Sequence, residues 1–247
     1  MRAITAIGAT QPGLPWGSAI LVGMDNSSPT HHPPVTVQRA ASVLLLRETT
    51  GGLEVFIQHR AMTMDFAAGV IVYPGGRVDQ QDTAASGEVP DAVAAEHARR
   101  WARTSLGDLG PEQARFASAV VAAAARREVR EETGAELRTS QLHPWANWVT
   151  PVGNPKRFDT FFYVAALEPD QQPRHQTTEA TDSQWIRPEE LFRACDAGKV
   201  RLMSPTRATL QAVVRHSSLA EVLGQRAEIV PVRPLLPSSP TSGQRTS

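Results

Sequence analysis

Apolar positions change their spacing along the chain, and the changes mark its elements. Residues 35–47 (VTVQRAASVLLLR) and 53–59 (LEVFIQH) are rich in β-branched and aliphatic side chains and flank a Thr-Thr-Gly-Gly turn, which predicts a hairpin. Residues 70–73 predict a short strand that stops at Pro74-Gly75-Gly76, and residues 145–150, 160–167 and 183–186 predict three more strands. Helical spacing takes over in the Ala-rich stretch 91–106 and again over 111–133, with Pro111 suited to the first helical position and Gly134 to the stop. Pro188 opens a helix over 188–197. Ser204 is the expected cap of another over 204–214, and residues 217–224 fit one or two further turns. No internal repeat is visible. Strands and helices interleave, which predicts one α/β (α+β) domain over residues 37–232. Residues 1–36 carry Gly, Pro, Ser and Thr without period and read as a flexible N-terminal arm; residues 233–247, rich in Pro and Ser, read as a disordered tail.

Composition narrows the functional classes. Twenty-five Lys and Arg balance twenty-five Asp and Glu among 247 residues. A neutral chain lacks the clustered positive charge that grips long nucleic acid or an anionic membrane, and neither partner is expected. With one cysteine, Cys195, the chain can form no intramolecular disulfide or Cys-rich zinc site, and a reducing compartment such as the cytoplasm is expected. In its helix, Cys195 reads as a small buried hydrophobe. No apolar run approaches the ~20 residues of a membrane span. The first residues make a poor secretory signal, and the final Arg-Thr-Ser does not read as a peroxisomal address. His31 and His32 read as a solvated pair, and His59, His97, His143, His175 and His216 show no metal spacing.

Chemistry concentrates in residues 126–134 (RREVREETG). On a helix, Glu128, Glu131 and Glu132 fall within an arc of about 100°. That crowding breaks two local rules. Glu128 and Glu132 form a like-charge i,i+4 pair, and the cluster sits near the helix C-terminus, where the dipole disfavours anions by ~0.3–1 kcal/mol. A divalent ion bound by hard oxygen ligands would compensate. The plainer reading is a solvated, salt-bridged face, with Arg127 four residues before Glu131.

A second segment, residues 73–82 (YPGGRVDQQD), lies upstream. Together the two resemble the Nudix box: Gly, five residues, Glu, seven residues, then Arg-Glu-apolar-x-Glu-Glu-x-Gly-apolar. Gly76 is followed by five residues and then Asp82, one methylene shorter than the family's Glu. The second half matches at Arg127, Glu128, Val129, Glu131, Glu132 and Gly134. Residues 83–126 number forty-four where the motif has seven, so thirty-seven are inserted. This piece reads as a loop-helix-loop at a surface turn, plus an extension of the following helix. The split is similar to one Nudix branch, which includes the peroxisomal coenzyme A diphosphatase. Arg60-Ala61, Gly69 and Tyr73-Pro74-Gly75-Gly76 resemble the pattern preceding the box in coenzyme A-hydrolysing members, with Asp65 where that pattern has a second Arg. Residues 155–160 (PKRFDT) and Glu179 ahead of Trp185 are also similar to this branch.

The resemblance implies the Nudix fold, a mixed β-sheet sandwiched between helices, here with an inserted helical segment. It implies a hydrolase that cleaves a diphosphate linkage in a nucleoside diphosphate derivative. Coenzyme A or an acyl-CoA is the first choice; NAD(H), a dinucleoside polyphosphate, an RNA cap, or a non-catalytic nucleotide-sensing role are the alternatives. By resemblance Glu128, Glu131 and Glu132 bind Mg²⁺ or Mn²⁺ with help from the Gly75 carbonyl, and Arg127 orients a carboxylate. Glu131 and Glu179 are both candidates for the general base. Arg60, Lys156 and Arg157 are candidate phosphate contacts. Asp82 is either a helper of the site or a turn residue. Trp145, Trp148, Phe158 and Phe161 read as strand residues of the core. A small-molecule nucleotide is the expected partner, and a homodimer the common family assembly.

Overall fold

The computed structural model describes residues 35–61, 69–168 and 170–235. His31, His32 and Asp65, most of the expected arm and the end of the tail lie outside them.

Strands β1 (Val37–Thr49) and β2 (Gly52–Arg60) form the predicted hairpin. β1 is the spine of a mixed sheet that has seven strands among the described residues. One edge of β1 runs parallel to β6 (Arg157–Ala166) from Val37 through Leu46. Its other edge is shared: Leu46–Thr49 pair with β2, and Ala40–Ser42 pair with β4 (Gly75–Arg77). β2 also pairs with β3 (Ile71–Val72) and β7 (Ala180–Ile186), and β6 pairs with β5 (His143–Val149).

Period-two alternation buries both faces of this sheet. Val43 and Leu45 of β1 and Phe161 and Tyr163 of β6 face one layer; Leu44, Leu46, Phe162 and Val164 face the other. The first layer is closed by α3 (Pro111–Thr133), whose run of alanines from Ala122 to Ala125 lets the helix lie close to the strands. The second is closed by α4 (Pro188–Asp196), α5 (Ser204–Val213) and α6 (Leu219–Gly224), through Leu191, Leu210, Val213 and Val222. The sheet is sandwiched between helices as expected.

The insertion differs from a surface loop. Asp82 lies in a short helix α1 (Gln80–Ala85), which is followed by α2 (Asp91–Arg100). The predicted helix 91–106 ends early because the chain turns at Trp101 to bury that residue and Leu106 completely. Trp101 packs edge-on against Phe161 and Tyr163, with ring centroids 5.1 and 5.6 Å away. The inserted residues therefore complete the main core. Smaller departures occur elsewhere. Met203 rather than Ser204 is the cap residue of α5, and Cys195 is half-buried rather than buried. Ser218 caps α6 by accepting the Glu221 N–H.

Candidate active site

The site forms where α3 passes the β4 turn. α3 runs to Thr133 and stops at Gly134, which takes the left-handed conformation (φ 71°) that favours glycine. Its last two turns carry the glutamates past Gly75 and Gly76. The Gly75 N–H donates to Glu132 Oε2 at 3.1 Å. At Gly76 a Cβ would stand 2.6 Å from the Glu128 carboxyl carbon, and at Gly75 one would stand 2.6 Å from Ser42 Cα. The double glycine is thus set by the close approach of helix and β1 on either side.

Burial sets the electrostatics. It pushes the Glu132 carboxyl up to about 8; the Gly75 N–H and Arg60 oppose this, while Glu128 and Glu179 add to it. Glu128 is raised too, chiefly by burial, against the pull of Arg127. Arg127 is itself 10% exposed and organises the cluster. Its Nε and Nη2 donate to Asp82 Oδ1 and Oδ2 at 2.7 and 3.0 Å. Nη2 also donates to the Arg77 carbonyl, and Nη1 lies 2.9 Å from both Glu128 Oε1 and Glu131 Oε2. Bonding to Asp82 holds this guanidinium firmly charged. Asp82 is 1% exposed and also accepts the Asp79 N–H at 2.7 Å, so it is no mere turn residue. The two halves of the split motif meet through this pair.

A cleft of about 1280 Å³ opens beside the turn, and Gly75, Gly76, Glu128, Glu132, Arg60 and Glu179 all line it. Glu131 does not; it is half-exposed and tied to Arg127. Arg60 Nη2 lies 3.6 Å from Glu179 Oε2, and the Arg60 Nε is buried without a hydrogen-bond partner. Glu179 is brought there by a strap that uses the unsatisfied carbonyls of the α3 terminus. Arg174 N–H donates to Thr133 O and Gln176 N–H to Glu132 O, and Ala61 N–H then donates to Glu179 O. Lys156 and Arg157 also line the cleft, with Arg157 Nε donating to Thr150 O at 3.1 Å. Trp148, Phe158 and Phe162 form aromatic wall, whereas Phe161 is core. Phe162 had no signal in the sequence beyond its place in an apolar strand.

Glu128 and Glu132 could hold a metal ion. Among the described residues no three His, Cys, Asp or Glu side chains converge in the geometry of a metal site. The donor chemistry nevertheless suits a hard divalent cation: two adjacent, desolvated carboxylates whose charges oppose each other, with space on the cleft side.

A mixed sheet between helices is the fold this chain shares with solved Nudix hydrolases. A model of the NUDIX domain matches residues 117–205, a span that opens inside α3 and holds only the second half of the split motif. A NUDIX hydrolase structure from Alicyclobacillus acidocaldarius is similar with a TM-score of 0.61 at 21% identity, covering 78% of this chain and 98% of that one. A MutT NUDIX hydrolase from Burkholderia pseudomallei gives a TM-score of 0.46 at 17% identity, covering 72% and 98%. Nudix hydrolase 7 of Caenorhabditis elegans is 27% identical over 174 residues, 67% of this chain; the chain spans 57% of that relative's length.

Proposed function

We propose that the chain is a divalent-metal-dependent hydrolase of a diphosphate linkage in a nucleoside diphosphate derivative, with coenzyme A or an acyl-CoA as first-choice substrate. The observation that carries this reading is the apposition of Glu128 and Glu132 to the Gly75–Gly76 turn on a cleft that also exposes cations. Glu128 and Glu132 would hold Mg²⁺ or Mn²⁺, with Glu131 and the Gly75 carbonyl as further ligands by resemblance. Bound there, the ion would neutralise phosphate charge and acidify water. The remaining work falls to side chains already in place. The Gly75 N–H orients the Glu132 carboxylate, and Arg127, anchored by Asp82, holds Glu128 in position. Glu179 takes the proton of the attacking water; its place on the cleft favours it over Glu131 as general base. Arg60, Lys156 and Arg157 bind phosphate oxygens, and Trp148 and Phe158 offer faces on which a base can stack. We place the enzyme in a reducing compartment such as the cytoplasm; no described helix is long and apolar enough to cross a membrane.

The test is a substrate panel with Mg²⁺ and with Mn²⁺: coenzyme A, an acyl-CoA, NADH, a dinucleoside polyphosphate and capped RNA, with products identified by mass. Cleavage of coenzyme A into two phosphate monoesters is the expected result. Cleavage of another member alone would move the substrate, and cleavage of none would refute the hydrolase.

A further inference from the structure

We propose that a second cavity, between α2, the start of β5 and the segment after α6, binds a phosphate group. This cavity of about 270 Å³ shares no lining residue with the cleft, so the proposal stands apart from the hydrolase reading. Its size suits a small oxyanion or the phosphate end of a larger molecule better than a whole nucleotide.

Three observations carry it. First, two guanidiniums converge there. Arg100 Nη1 and Arg226 Nη1 donate to the same oxygen, the Gln225 carbonyl, at 3.1 and 2.9 Å. Their other hydrogen bonds among the described residues also go to backbone carbonyls, Pro144 for Arg100 and Leu223 for Arg226. Every hydrogen bond these two cations make here thus goes to a backbone dipole, none to a carboxylate. The carboxylate lining the cavity, Glu96, is already engaged by Arg99. Second, buried polar atoms on the cavity wall lack partners. Arg100 Nε is buried and unbonded. His97, 2% exposed, also lines the cavity; its Nε2–H donates to the Leu142 carbonyl, which leaves Nδ1 a buried, unpartnered acceptor that a proton-bearing phosphate oxygen would satisfy. Third, the field is unfavourable to added positive charge. Burial and then the Arg226 charge depress Arg100, with only Glu96 opposing them, and His143 on the same wall is depressed by burial and by both arginines. A phosphate would relieve this repulsion, and paired guanidiniums match its oxygens in bidentate fashion. It would also clamp the insertion, through Arg100 on α2, to the segment after α6.

Calorimetric titration of the full chain tests the idea, with inorganic phosphate in one arm and AMP in the other, at fixed ionic strength. Wild type should bind phosphate, and Arg226→Ala should weaken binding at least tenfold. Arg226 is exposed, so the variant should fold as wild type does, which its melting curve checks. The double variant Lys156→Ala/Arg157→Ala should retain the phosphate site within twofold. The arm with the tighter dissociation constant identifies free phosphate or a monoester as the source. Binding that survives in Arg226→Ala but disappears with the cleft lysine and arginine, or no binding in either arm, would overturn the proposal.

Discussion

Replacing Glu132 by Gln isolates the cost of keeping a carboxylate in this site. The amide has the same shape and can still accept the Gly75 N–H. The carboxyl is lifted from 4.5 to about 8 in the fold, so between those values the native state holds a proton that the unfolded chain releases. Stability due to this group is therefore complete below pH 4.5 and declines as pH rises through 8. The shift corresponds to roughly 4–5 kcal/mol at its full extent. For a domain of this size that is roughly 8–20 °C in melting temperature. Glu132→Gln lacks the slope. In EDTA the two proteins should melt alike near pH 5, and the variant should melt higher near pH 9. Mg²⁺ should then raise the wild type more than the variant, while turnover of the variant falls by at least about a hundredfold. Scanning fluorimetry in buffers from pH 5 to 9, with and without the metal, reads all of this. A melting difference that does not change with pH would refute the reasoning.

The other predictions probe the neighbours. Glu179→Gln should lower kcat by ~10²–10⁴ with little change in melting temperature, as expected of a half-exposed base; a wild-type kcat would return the role to Glu131. Asp82→Asn should cost ~1.5–3 kcal/mol in urea denaturation through lost charge-assisted bonds to Arg127, and unaltered stability would show that the pair does not join the motif halves. Trp101→Ala should cost ~3–5 kcal/mol, as for any fully buried indole; a cost below 1 kcal/mol would mean the insertion is peripheral.

The helix that bears the glutamates was legible to the residue, because Pro111 and Gly134 are strong local signals and little tertiary context competes with them. β4 was not. Gly-Gly-Arg has no strand preference of its own, and the segment is extended because Ala40–Ser42 supply its partner. The role of Asp82 was hidden for a related reason, since the residue that buries it lies forty-five positions on. The helical arc grouped the three glutamates on one side of α3, but Glu131, one position further round and paired with Arg127, does not line the cleft. Trp101 and Leu106 were read as part of the helix 91–106; that the chain leaves the helix there and finishes the core depended on Phe161 and Tyr163, which no local pattern connects to them.

The bond between Asp82 and Arg127 says where a signature of this kind tolerates interruption. Inside each block the spacing is rigid, since Gly76 must reach Glu128 and Asp82 must reach Arg127. Between the blocks the linker length is free, provided the chain returns to start the glutamate helix in phase. Searches that score the two blocks separately, with an open gap, would recover interrupted relatives that a contiguous pattern misses.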